Sequence, residues 1–272
     1  MPAFDPAGKT VVVTGAGNGI GAGLAVAMGA RGANVVVADL DAAGVERTVA
    51  SITGAGGSAV AAPGDAASQA GVDALIAKAE DAFGPIDAWF ANAGVDRGRG
   101  LEATDADWDL SWNVNVLAHV HAARRLVPQW VERGGGRFVV TASAAGLLTM
   151  LGAPAYSVTK HGAVAFAEWL SATYRHRGVV VQAICPQGVQ TRMLDDSGPL
   201  EELLSHDVAL TVEDVAAAVE RALEGEDFLI LPHPEVAGYY QARATAPDRW
   251  LTGMNRLQQR LDTKLAAEGD DR

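Results

Sequence analysis

The sequence predicts an α/β fold: a doubly wound parallel sheet with helices on both faces, a single domain, and a helical extension at its C-terminal end. Three observations carry that expectation. Short β-branched runs alternate with helical stretches along most of the chain, the pattern of βαβ units. The strand runs are apolar throughout (VVV at 11–13, FVV at 138–140, VVV at 179–181), as strands buried on both faces must be. A glycine cluster, Gly15–Gly23, separates the first strand from the first helix, where a tight turn is needed.

The elements follow in order. Strands are predicted at Lys9–Thr14, Asn34–Ala38, Ala59–Ala62, Ala88–Ala91, Arg137–Ala142, Val179–Ile184 and Phe228–Leu231. Helices are predicted at Leu24–Ala30, Ala42–Ile52, Ser68–Phe83, Asp107–Arg133, Ala155–Arg177, Val212–Leu223 and Asp248–Ala266. Thr104 with Asp107, and Thr211 with Asp214, are spaced as reciprocal helix caps. Residues 1–225 are read as the sheet-bearing catalytic body and 226–272 as its last strand and helical extension. No linker rich in proline, serine or charge divides them. In the last helix Trp250, Met254, Leu257, Leu261 and Leu265 form one stripe. It packs on the domain, contacts another subunit or caps the active site.

Composition narrows the partners. The chain has 272 residues, a formal charge of −12, 49% apolar and 20% charged residues. This is globular composition. The acidic balance argues against nucleic acid or an anionic membrane surface as partner. Two long uncharged stretches, 10–30 and 138–159, are interrupted by glycine and small polar residues, so neither a membrane span nor a signal peptide is expected. The single cysteine, Cys185, permits no internal disulfide and suits a cytoplasmic location. The histidines show no zinc-binding spacing, and no metal is expected.

Two motifs carry chemistry. The first is Thr14-Gly-Ala-Gly-Asn-Gly-Ile-Gly21, spaced G-x-x-x-G-x-G rather than G-x-G-x-x-G. Between a strand and a helix it belongs to a Rossmann-type turn, whose glycines let backbone N–H groups approach a pyrophosphate. Asp39 ends the second strand, where a carboxylate accepts from an adenosine ribose or caps the next helix. It would repel a 2′-phosphate, and Leu40 and Asp41, not a cation, follow it. The cofactor expected is therefore NAD. The second motif is Tyr156-x-x-x-Lys160, which puts both side chains on one helix face. An ammonium about 4 Å from the phenol would supply about 4 kcal/mol toward lowering its pKa.

Taken in order, TGAGNGIG, Asp39, Asp65, Asn92-Ala93-Gly94, Asn115, Ser143, Tyr156-x-x-x-Lys160 and Pro186…Thr191 resemble the short-chain dehydrogenase/reductase family, over about residues 8–225. The resemblance implies an NAD-dependent oxidoreductase interconverting secondary alcohols and ketones. It implies Tyr156 as general acid/base, Lys160 as its activator, Ser143 on the substrate oxygen and Asn115 holding a relay water; Asn113 lies nearby but fits the family register less well. For the cofactor it implies Gly15, Asn18, Gly19, Ile20 and Gly21 at the pyrophosphate and ribose. Asp39 and Leu40 would lie at the adenosine ribose, and Asp65 and Ala66 at the adenine. Asn92, Ala93 and Gly94, with Tyr156 and Lys160, would lie at the nicotinamide ribose, and Pro186, Val189 and Thr191 at the carboxamide end. Substrate walls are expected at 95–100, 144–151, 187–188 and 192–210, with Ser143, Leu147, Leu148, Met150, Gln187 and Met193 as contacts. Gln187 departs from the family's Pro-Gly, and it hydrogen-bonds the substrate or the cofactor, or points to solvent. The apolar walls suggest a hydrophobic or aromatic alcohol. Arg97, Arg99 and Arg192 are solvated, or leave room for a carboxylate. A homodimer or homotetramer is expected. The rival readings are a reductase acting on an imine or similar bond, and a non-enzymatic NAD(H)-binding regulator on the same fold.

Overall fold

The computed structural model describes residues 4–195 and 209–270, with side chains over 4–194 and 209–263. Seven parallel strands form one sheet in the order β3-β2-β1-β4-β5-β6-β7. They are β1 Thr10–Thr14, β2 Asn34–Asp39, β3 Ser58–Pro63, β4 Ala88–Ala91, β5 Gly136–Thr141, β6 Val179–Ile184 and β7 Leu229–Ile230. The chain winds outward from β1 to β3, then returns to place β4 on the other side of β1. The crevice at that reversal lies beyond the carboxyl ends of β1 and β4, where ligands of such sheets bind.

Side-chain alternation explains the two-sided core. Val12, Val36, Trp89, Phe138 and Val140 point to one face, and Val11, Val13, Val35, Val37, Phe90 and Val139 to the other. The first face is covered by α3 (Gln69–Phe83), α5 (Ala118–Glu132) and α7 (Pro154–Tyr174). The second is covered by α1 (Gly19–Ala30), α2 (Ala42–Gly54) and α9 (Val212–Leu223). Both reciprocal caps form: Thr104 opens α4 (Asp105–Trp112) over Asp107, and Thr211 opens α9 over Asp214.

The structure departs from the sequence-based expectation at four places. Helix α1 begins at Gly19 rather than Leu24, because the last glycines of the turn are already its first turn. The helix expected over 107–133 is broken: α4 passes through a π-turn, Asn113–Leu117, into α5. A one-residue insertion in a helical ladder leaves no mark on hydrophobic periodicity, and such turns cluster at functional sites. Two short helices, α6 (Ala145–Leu148) and α8 (Arg192–Asp195), lie in segments read as loops. The C-terminal extension is a pair, α10 (Glu235–Thr245) and α11 (Pro247–Asp270), where only the second was expected.

Candidate active site

The glycine turn is built by close backbone approach. A Cβ on Gly21 would lie 2.1 Å from the Gly15 carbonyl oxygen and 2.4 Å from Asn92 Nδ2, and one on Gly15 would lie 2.8 Å from Ala93 Cα. Gly15 and Gly19 both take positive φ, 63° and 54°. Asn92 staples β4 to this turn: its Nδ2 donates to the carbonyls of Thr14 (2.9 Å) and Gly15 (3.1 Å). Asp39 reaches in from the end of β2. Its Oδ2 accepts from the Gly17 N–H at 2.9 Å, and its Oδ1 from the Asp41 N–H at 3.0 Å. It therefore orders the turn and caps the next loop, while still facing the cavity.

That cavity measures about 1920 Å³, well above the roughly 1,000 Å³ of the largest ordinary small-molecule sites. Its walls contain Gly15, Asn18, Gly19, Ile20, Gly21, Asp39, Leu40, Asp65, Ala66, Asn92, Ala93, Gly94, Pro186, Val189 and Thr191, every backbone and side-chain position expected for the cofactor. Asp65 also serves its own turn. Its carboxylate accepts from the N–H groups of Ala67 (2.8 Å) and Ser68 (3.3 Å), and the Ala67 bond chiefly holds its pKa below the usual value.

Ser143, Tyr156 and Lys160 line the same cavity. Ser143 follows β5; its Oγ accepts from the Ala145 N–H at 3.1 Å and donates to the Pro186 carbonyl at 3.5 Å, and the hydroxyl lies beside that of Tyr156, where it favours the ionised phenol. Lys160 Nζ donates to the Thr141 carbonyl at 2.9 Å and sits 5.6 Å from the centroid of the Tyr156 ring. The expectation that the ammonium dominates the phenol is not met. Burial pushes Tyr156 up to about 12, against the opposing pull of the Ser143 hydroxyl, and burial pushes Lys160 down to about 8. At neutral pH the pair is phenol and ammonium.

Asn115 is fully buried and does not line the cavity. The π-turn aims it sideways. Its Oδ1 accepts from the Val95 N–H at 2.9 Å; its Nδ2 donates to the Val95 carbonyl at 2.9 Å and to Thr159 Oγ1 at 3.0 Å. The amide is fully used in tying the segment after β4 to α7. Gly94 lies against it: a Cβ there would be 3.1 Å from Lys160 Nζ and 3.3 Å from Asn115 Oδ1.

Of the expected substrate contacts, Ser143, Leu148, Met150, Gln187 and Met193 line the cavity, and Leu147 does not. Leu147 is 2% exposed and packs in the core. On the single turn of α6, neighbouring residues point in different directions, and Leu147 takes the inward one. The wall expected at 192–210 is described only in part, since 196–208 lie outside the described residues. Arg99 is paired with Asp96 at 2.8 Å, and Arg97 lines the cavity while Arg192 does not.

Two features were not foreseen, and a third meets one of the three alternatives given for the last helix. His233 fixes the Pro186-Gln187-Gly188 segment, its Nδ1 accepting from the Gln187 N–H at 3.1 Å. His121 and Gln69 join the wall near Asp65. Helices α10 and α11 close one side of the cavity through Tyr239, Trp250, Met254, Leu257 and Leu261. The apolar stripe of α11 was the signal for this wall, although the Leu265 side chain falls outside those described. Cys185 beside the site is fully buried, and burial pushes its thiol up to about 12.

The buried ammonium destabilises the fold, which yields a stability prediction. The folded pKa of Lys160, about 8, lies below its ordinary value of 10.5. The folded state therefore sheds this proton first, so the penalty is complete below pH 8 and is relieved as pH rises toward 10.5. Lys160→Met is expected to raise stability at pH 7 by on the order of 2 kcal/mol, roughly 5 °C in Tm. The gain should shrink above pH 8. A Tm unchanged or lowered at pH 7 would contradict the burial argument.

Comparison with known proteins agrees with this geometry. The short chain dehydrogenase family model matches residues 9–201. The chain is 33% identical over 232 residues to 1-deoxy-11-beta-hydroxypentalenate dehydrogenase of Streptomyces exfoliatus, covering 84% of each. It is 33% identical over 225 residues to ketoacyl reductase HetN of Nostoc sp., covering 80% of this chain and 76% of that one. A short chain dehydrogenase/reductase from Burkholderia phymatum, crystallised with NAD, superposes with a TM-score of 0.83 at 30% identity, over 89% of this chain and 95% of that one. A family match over residues 9–201, which hold six of the seven strands, leaves one conclusion: the chain belongs to the short-chain dehydrogenase/reductase family of oxidoreductases.

Proposed function

We propose that this protein is an NAD-dependent oxidoreductase that interconverts a secondary alcohol, hydrophobic or aromatic, and its ketone. The observation that carries the reading is the meeting of Ser143, Tyr156 and Lys160 in the same cavity as the glycine turn and Asp39.

The residues fit a dinucleotide. Gly15, Gly19 and Gly21 line the cavity, and the turn they make packs so closely on Ala93, Asn92 and itself that Gly15 and Gly21 admit no side chain, which keeps the turn's backbone at the cavity surface. Helix α1 starts at Gly19 with no side chain capping its first N–H groups, which leaves them for a pyrophosphate. Gly15, Asn18, Gly19, Ile20 and Gly21 would hold the pyrophosphate and its ribose, and Asp39 with Leu40 the adenosine ribose. Asp65 and Ala66 would contact the adenine. Asn92, Ala93, Gly94, Tyr156 and Lys160 would surround the nicotinamide ribose, and Pro186, Val189 and Thr191 its carboxamide. When bound, NAD supplies the hydride acceptor and NADH the donor.

The chain's own residues move the proton. In reduction, the Tyr156 phenol gives its proton to the carbonyl oxygen as the carbonyl carbon gains a hydride. In oxidation, the phenolate takes the alcohol proton back. Ser143 holds the substrate oxygen beside that hydroxyl. Lys160 places a positive charge near the phenol and favours its ionised form. Asn115 keeps the Gly94–Val95 segment against Lys160. Leu148, Met150, Gln187 and Met193 form the substrate wall. We place the enzyme in the cytoplasm as a homodimer or homotetramer built through α5 and α7. Exposed Trp112, Val158 and Trp169 beside and on these helices support such a contact. Among the described residues no helix is long and apolar enough to cross a membrane.

The test is nicotinamide reduction by the purified protein with NAD and then NADP, across a panel of secondary alcohols. Activity with NAD that tracks the apolar size of the alcohol is expected. Activity confined to amines, or NADH binding with no turnover on any alcohol or ketone, would overturn the reading.

A further inference from the structure

The helix pair α10–α11 is held on the body by a specific anchor. Arg243 of α10 donates to the Leu147 carbonyl of α6 and, at 3.0 Å, to Nε2 of His161, the residue after Lys160. His161 Nδ1 is 2.8 Å from the Ser157 carbonyl, so Nδ1 carries the proton and Nε2 is free to accept. The cavity face of α10–α11 is therefore seated directly on the helix that carries Tyr156 and Lys160.

That face has an internal order. Arg249 and Arg260 are eleven residues apart, which puts them about 20° apart around the axis of α11 and about 16 Å apart along it. Trp250, Met254, Leu257 and Leu261 follow at about 80–140° round from Arg249. All six line the cavity. The wall is thus an apolar strip with a cation near each end of one edge. Arg97, outside α11, also lines the cavity. Among the described residues neither Arg249 nor Arg260 has a carboxylate within ion-pair distance. Among the described residues the cavity carboxylates are Asp39 and Asp65, engaged in their own turns, and Asp96, which is held by Arg99. In a chain of net charge −12, two arginines on one apolar wall with no carboxylate partner among the described residues mark a place for an anion.

We propose that the substrate is elongated and amphipathic: an apolar body lying along α11, with an anionic group, carboxylate or sulfonate-like, bound by Arg249 and Arg260 away from the reacting carbon. This rests on reading the cavity as an oxidoreductase substrate site. Its test uses binding, so the two can fail separately.

The probes are 1-anilinonaphthalene-8-sulfonate and its uncharged parent N-phenyl-1-naphthylamine, titrated by fluorescence into the full chain. The wild type should bind the sulfonate more tightly than the parent. The double variant Arg249→Gln/Arg260→Gln should weaken the sulfonate about three- to ten-fold, as two partly exposed charge pairs allow, and leave the parent unchanged. Gly253→Leu provides the location test. Gly253 lies on the same wall, and a Cβ there meets nothing within 4 Å. This variant should weaken both probes. Equal affinity of wild type for the two probes, or indifference of the sulfonate to the double variant, overturns the proposal. NADH affinity is measured in parallel: a matching loss would assign the arginines to the cofactor's phosphates and overturn it too.

Discussion

Tyr156→Phe is expected to lower kcat/KM by about 10³-fold or more in both directions, inside the range that one positioned proton carrier supplies. NADH binding, followed by nicotinamide fluorescence, should change by less than about threefold. The substitution is close to a pure deletion of one oxygen. The Tyr156 ring packs with Ala145, Ala153 and Met150, all of which phenylalanine still contacts. What is lost is the hydroxyl beside Ser143 and the proton it carries. Retention of activity within tenfold would show that another group moves the proton. The ionisation state adds a directional test. Burial holds the phenol near 12, so between pH 6 and 8 it is protonated and ready to serve reduction. Reduction should be nearly flat over that window, whereas oxidation, which needs the phenolate, should rise with pH. An oxidation rate that falls from pH 6 to 8 would contradict this.

The origin of that ionisation state shows where sequence reasoning stops. Spacing placed Tyr156 and Lys160 on one face, and they do share it. Spacing could not show that Lys160 Nζ turns to the Thr141 carbonyl, or that both groups are buried. Burial then opposes charge on each. The same limit applies to Asn115. It was legible as a site residue, but its amide is consumed by Val95 and Thr159, contacts that depend on a π-turn no periodicity encodes. The sheet was the most legible part, because strands buried on both faces must be continuous apolar runs. The glycine turn was legible for a similar reason: only glycine fits where Gly21 meets the Gly15 carbonyl. Leu147 went the wrong way because a four-residue helix has no periodic pattern to assign its faces. The α11 side of the wall was legible as a stripe and α10 was not, and what the stripe covered depended on where Arg243 anchors.

Asp39→Asn should change which dinucleotide the enzyme uses. In the wild type the carboxylate ends β2 and faces the cavity, with no cation beside it in sequence: Leu40 and Asp41 follow. A 2′-phosphate brought about 4 Å away meets a repulsion of about 4 kcal/mol at an effective dielectric near 20, reduced to about 2 kcal/mol by solvent and salt. Removing the charge should therefore raise kcat/KM with NADP by about thirtyfold. The loss with NAD has a different source. A ribose hydroxyl donating to an anion exchanges a charge-assisted hydrogen bond for a neutral one, about 1 kcal/mol weaker, or roughly fivefold. Asparagine is the better replacement because its single amide oxygen can still accept from the Gly17 N–H, the bond by which Asp39 orders the glycine turn, and only the bond from the Asp41 N–H is given up. Alanine would orphan that N–H and confound charge with backbone order. The ratio of the two cofactors should thus shift by about a hundredfold at low salt, and by less at high salt, where the repulsion is screened. If the ratio stays put, Asp39 acts only through Gly17 and Asp41, and the discrimination lies elsewhere in the turn. If NAD and NADP both fall together, the turn itself has moved, and a lower Tm in the variant would accompany that outcome.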